Sequence, residues 1–155
     1  MNPSYLTTTN QTNLYDRDFY LWTETTTNLL RENQFHQVDL DNLIEEIASM
    51  GKREKRELKS RLIVLLMHLL KWKYQSEKRS PSWNSTISEQ RICLELLLED
   101  SPSLKSFLAE VLSNCYQKAR SAAARETNLS LDTFPEESPF SESEIFDPNY
   151  LPEWL

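Results

Sequence analysis

Gly51 is the only glycine in a chain of 155 residues, and that scarcity narrows what can be built more than any motif does. Phosphate-binding loops, dinucleotide fingerprints and nucleophile elbows all need glycine where backbone turns sharply or approaches a ligand closely, so none of them fits here. Hairpins of the Asn-Gly type are absent as well. The chain is 39% hydrophobic and 26% charged, which is enough apolar material to offset the conformational entropy of folding. Its length suits one domain with one core. The expectation is a single-domain, all-α helical bundle.

Apolar spacing places the helices. Phe19, Trp22, Thr26, Leu29 and Leu30 recur at three- and four-residue steps behind Asp16 as N-cap. Asp39 is a second cap, ahead of the stripe Leu40, Leu43, Ile44 and Ile47. The stripe runs on through Leu58, Leu62, Leu65 and Leu69 to Trp72. An unbroken helix of that extent would be about 54 Å long, against about 40 Å for a compact domain of this size. A bend or break at Gly51 is therefore expected, because glycine ends helices readily. The stretch Leu62 to Leu70 is apolar almost all round and reads as the buried part of a central helix.

Ser82 or Asn84 reads as the cap of a further helix carrying Ile87, Leu94 and Leu97, and Ser101-Pro102 as N-cap and first residue of the next. That last helix should end between Glu126 and Asn128. Beyond it come prolines at 135, 139, 148 and 152 among Phe134, Phe140, Ile145 and Trp154. They read as an extended tail packed on the bundle, with one helical turn where Ser141 and Glu144 match a capping box. The domain layout is thus a flexible N-terminus (1–13), a helical domain (14–128) and the tail (129–155).

Charge is distributed unevenly. From Lys52 to Arg79 there are ten Lys or Arg against three acids, in a chain of net charge −7. After Arg125 no basic residue occurs, while Asp132, Glu136, Glu137, Glu142, Glu144, Asp147 and Glu153 make the tail acidic. The basic stretch reads as a solvated face pairing with neighbouring acids. Alternatively, Lys71, Trp72, Lys73, Tyr74, Arg79 and Trp83 offer cations beside stacking platforms for RNA. The acidic tail in turn suits the basic surface of another protein, as in antitoxin-like partners.

Catalytic signatures are sparse. Glu45 and Glu46 are paired carboxylates of the kind used in acid/base and metal sites, but adjacent helical residues do not face each other, so at most one points inward. Arg61 and His68 lie two turns apart on one helix face, and their spacing resembles that of all-helical, metal-independent HEPN ribonucleases. A core histidine bonded to a backbone carbonyl is the commoner outcome. Glu32 and His36 have helical spacing, but two histidines without a zinc-type motif leave only a carboxylate site open to a metal, and the expectation is no metal and no cofactor. Cys93 and Cys115 lack a CxxC partner and read as reduced thiols. There is no secretory signal pattern at the N-terminus and no apolar run of the length a bilayer needs, so a cytoplasmic location and no membrane are the expectations.

The segments YDRDFYLW (15–22), DLDNLIEEIASMGKREKRELKSRL (39–62), HLLKWKYQ (68–75), RSPSW (79–83), SPSL (101–104) and TFPEESPF (133–140) resemble, in this order, a bacterial, cyanobacteria-rich family known as domain-of-unknown-function family 29. The resemblance spans about residues 14–152. It implies an all-helical fold and carries no established activity. Polar residues within or beside the matched motifs are Asp39, Glu45, Glu46, Arg61, His68, Lys71, Trp72, Arg79, Trp83, Arg91 and Tyr116. They are candidates for a site or for a buried polar network that fixes helix register. The leading functional expectation is a small helical protein-interaction module, antitoxin-like toward a basic partner, rather than an enzyme. The alternative is a metal-independent ribonuclease or RNA-binding protein.

Overall fold

The computed structural model describes residues 14–153, and their regular structure is entirely helical. The main elements are α1 (Phe19–Arg31), α2 (Leu40–Tyr74), α3 (Pro81–Asp100), α4 (Leu104–Thr127) and the short α5 (Glu142–Phe146). Single 3-10 turns lie at Phe35–Gln37, Ser76–Lys78 and Leu131–Thr133. The expectations of an all-α fold and a long central helix hold. Residues through Lys52 form one compact unit and those from Arg53 onward a second, larger one, with α2 contributing to both. The expected flexible segment 1–13 and Trp154 lie outside the described residues.

In the first unit, a helical turn over residues 14–17 precedes α1, and the Asp18 amide donates to the Leu14 carbonyl at 2.8 Å. Asp16 lies inside that turn and cannot cap α1. The cap is Asp18, whose Oδ1 accepts from the Leu21 amide at 3.0 Å. Trp22, Thr26 and Leu29 are buried, whereas Phe19 and Leu30 are exposed. Tyr15 meets Trp22 edge-on at 4.9 Å between ring centres, and Phe19 stacks on Trp22 at 5.7 Å. Asn33, at φ 59°, ends the helix. The Gln34 amide reaches the Leu29 carbonyl and that of Asn33 reaches Leu30, the paired bonds of a Schellman turn with asparagine in the left-handed position.

Asp39 is buried and caps α2, its Oδ1 accepting from the Asn42 backbone amide at 3.4 Å and its Oδ2 from Asn42 Nδ2 at 2.7 Å. Of the apolar stripe that follows, Leu43 is half-buried, but Leu40, Ile44 and Ile47 stand in solvent. The helical period is right and the face is not a core face. The expected break at Gly51 is also absent: helical structure continues through it for all 35 residues of α2. An internal glycine costs a helix about 1 kcal/mol, too little to interrupt one that is anchored on its far side by a fully buried leucine stretch.

That stretch supplies the second unit's core. Leu58, Leu62, Leu65, Leu66, Leu69 and Leu70 of α2 pack with Ile87, Leu94 and Leu97 of α3 and with Leu108, Cys115, Ala119 and Ala123 of α4. Phe134, Phe140 and Ile145 from the C-terminal segment complete the same cluster. Two helix starts differ from expectation. α3 is capped by Ser80, whose Oγ accepts from the Trp83 amide at 3.2 Å, rather than by Ser82 or Asn84. Pro81 at the first position has its φ preset for a helix and lacks only an amide that would have no partner there. Ser101 is the C-cap of α3, its amide bound to the Leu97 carbonyl, and so cannot begin α4. A turn through Pro102 and Ser103 delays that start to Leu104, and Asn128 at φ 58° ends the helix. The Ser141–Glu144 capping box forms as read, with both reciprocal bonds present.

Candidate interaction site

Five side chains, with Arg79 on the Pro152 carbonyl among them, hold the C-terminal segment by its backbone. Arg91 donates from Nε to the Ile145 carbonyl at 2.8 Å, from Nη1 to Tyr150 at 2.8 Å and from Nη2 to Glu144 at 3.1 Å. Tyr116 donates its hydroxyl to the Pro135 carbonyl at 2.6 Å, and Arg120 Nε reaches Phe134 at 2.9 Å. Gln117 bonds the Glu136 carbonyl. A proline-interrupted segment cannot satisfy its carbonyls within itself, and buried carbonyls need donors. Burial lifts the Tyr116 phenol to about 12, so it remains a donor across the physiological range.

Because the backbone and apolar side chains are held inward, the carboxylates of this segment point to solvent. Asp132, Glu136, Glu137, Glu142, Asp147 and Glu153 are exposed, and Glu144 is half-buried in the capping box. Beside them lies an open cleft of about 500 Å³, lined by Ile92, Glu95 and Glu99 of α3, Lys105 of α4, and Phe146 and Pro148 of the segment itself. The cleft joins an apolar surface to carboxylates on α3.

Of the cations in the basic stretch, Lys71, Arg79 and Arg61 have partners within the fold, whereas Lys52, Lys55, Arg56 and Lys78 are exposed. Lys71 is buried, pairs with Glu126 Oε2 at 2.7 Å and lies 4.5 Å from the centre of the Trp83 ring. Arg79 donates to the Trp72 carbonyl at 2.7 Å and to that of Pro152 at 3.4 Å, while its guanidinium covers the Trp72 ring at 5.1 Å. Arg61 pairs with Glu57 at 2.9 Å and bonds Gln90, and the Glu57 bond raises its pKa. His68 is half-buried and donates from Nδ1 to the Val64 carbonyl at 2.9 Å. Desolvation holds its pKa below 6.5, with Lys71 adding in the same direction.

Glu46 accepts the Tyr15 hydroxyl at 2.6 Å, whereas Glu45 is exposed. Both cysteines are free thiols, and burial raises the pKa of Cys115. Among the described residues no cluster of three His, Cys, Asp or Glu could hold a metal ion, and no helix is long and apolar enough to cross a membrane.

The family model described as "Domain of unknown function DUF29" matches residues 14–151. The chain belongs to this family. No curated protein and no solved structure matches it. The matched span takes in both ends of the anchoring system, from the donors Arg91, Tyr116 and Arg120 to the carbonyl of Tyr150.

Arg120, Gln75, Glu95 and Glu99 were not singled out by sequence. Gln75 is buried and reaches the Thr127 carbonyl at 3.4 Å. Arg120 left a usable trace: Tyr116, Arg120, Ala123 and Thr127 follow at helical spacing on the buried side of α4, which marks Arg120 as a cation with a partner. The glutamates of the cleft left none, since nothing in their spacing distinguishes them from ordinary solvated acids.

Proposed function

We propose that this protein is a helical interaction module whose C-terminal segment and adjoining cleft dock a basic, partly apolar surface of another protein. The observation that carries the reading is the separation of roles within the segment. Its carbonyls and apolar side chains are held by Arg91, Tyr116, Arg120 and the core, while six of its carboxylates remain exposed. An ordered row of like charges loses little conformational entropy on binding, and opposite charge on a partner accelerates encounter. Glu95 and Glu99 extend the negative surface into the cleft, and Ile92, Phe146 and Pro148 give the aliphatic stem of a lysine or arginine an apolar wall. An antitoxin-like role toward a basic toxin fits this chemistry.

Deleting the segment would remove core residues, so the test neutralises charge instead. The combined variant Glu95→Gln, Glu99→Gln, Glu136→Gln, Glu137→Gln and Glu142→Gln is compared with the unaltered chain for cross-linking to proteins of its own cell extract. A basic partner captured by the unaltered chain should be lost with the variant and at high salt. Equal capture by both would refute the reading.

A further inference from the structure

We propose that the exposed apolar face at the start of α2 is an antiparallel, two-fold pairing surface for a second copy of this chain. Leu40, Ile44, Ile47 and Met50 are each more than half exposed, at 54, 60, 61 and 59%. Leu40, Ile44, Ile47 and Gly51 follow one another at helical steps of four, three and four, so they form one continuous stripe. An isolated exposed leucine needs no explanation, but an aligned row of large apolar residues on one helix face does.

Gly51 points to what covers the row. It lies within a continuous helix, its φ is not positive, and a Cβ placed on it would meet nothing within 4 Å. Nothing among the described residues calls for a glycine there, although glycine weakens a helix. A close approach from outside the chain does call for one. The stripe is also complementary to itself when reversed. With two copies antiparallel, Leu40 of each sits over Gly51 of the other, a large side chain in the space a missing one leaves, and Ile44 packs against Ile47.

Charge selects the same orientation. Asp41 and Lys52 lie on one flank of the stripe, at its two ends, and both are exposed. In an antiparallel pair they face each other across the two-fold axis, whereas a parallel pair would put the two flanks on opposite sides of the interface and leave them apart. The surface shares no residue with the acidic C-terminal segment or its cleft, so the proposal stands or falls independently of the basic-partner reading.

The test is sedimentation of the full chain over a micromolar concentration series, with helix content and melting recorded for every variant. The unaltered chain should pass from monomer to dimer. Ile44→Glu with Ile47→Glu should stay monomeric while keeping its helix content. Gly51→Leu is the discriminating variant, because it adds bulk where its own chain leaves open space. It should fold at least as well as the unaltered chain yet dimerise about tenfold more weakly or worse. A monomeric unaltered chain would overturn the proposal and leave the face to a partner of different sequence. A dimer that tolerates Gly51→Leu, or the two glutamates, would overturn it by placing the interface elsewhere, and so would an assembly larger than two.

Discussion

Arg91 gives its guanidinium to three carbonyls of one short segment, and only a planar fork can reach all three at once. Lysine in its place keeps the charge but loses the geometry, so Arg91→Lys and Arg91→Met should both destabilise the fold. Charge-assisted bonds to a buried donor contribute about 1.5–3 kcal/mol each, and they are not additive. A total loss of about 3 kcal/mol for Arg91→Met is the expectation, read as a fall of roughly 9 °C in melting temperature. An unchanged melt would show that the segment is held by its apolar side chains alone. His68 gives a second residue-scale test. Its pKa is depressed in the folded state, so the unfolded chain binds its proton first as pH falls. The stability it contributes is complete above 6.5 and declines as pH drops from there toward the lower folded value. Below about pH 6.5, urea unfolding of His68→Gln should therefore depend less on pH than that of the unaltered chain.

At the scale of elements, period was easier to read than partner. The 3.6-residue spacing located α1 to α4 because buried faces repeat, and the all-round apolar run at Leu62–Leu70 identified the central helix because no solvent face is left there. Periodicity records that a helix has an apolar side and not whether its own chain covers it, which is why Leu40, Ile44 and Ile47 looked like core residues. Helix starts were misread where two signals overlap. Ser101 precedes a proline, as an N-cap often does, but its amide already closes α3, whereas Ser80 has only one role. Ser80→Ala should accordingly cost about 1 kcal/mol, the usual value of a serine cap, in chemical denaturation. Asn84→Ala and Ser82→Ala should cost less than half of that, since the helix does not begin at either. The site was half legible: Lys71, Trp72, Arg79, Trp83, Arg91 and Tyr116 were visible as candidates, but Arg79, Arg91 and Tyr116 bond backbone carbonyls, which carry no sequence signal, and Lys71 pairs with Glu126 far along the chain.

Across the whole molecule, the C-terminal segment combines two functions that a deletion cannot separate. It completes the core of the larger unit with Phe134, Phe140 and Ile145, all buried, and it displays most of the acids that follow Arg125. Ending the chain after Thr127 would remove those three side chains and leave Tyr116, Arg91 and Arg120 without the carbonyls they serve. Each large apolar side chain removed from a core costs about 2–5 kcal/mol, and a domain of ordinary stability has about 5–15 kcal/mol in total. The truncated chain should therefore lose cooperative unfolding and its near-ultraviolet dichroism. Neutralising Glu136, Glu137 and Glu142 to their amides touches only exposed groups that repel one another. Surface changes of this kind stay within about 0.5 kcal/mol each, so melting should move by only a few degrees and upward at low salt, where the repulsion is least screened. A variant that instead melts well below the unaltered chain would mean that these carboxylates hold the fold together, and an acidic surface required for folding could not be explained as one kept for a partner.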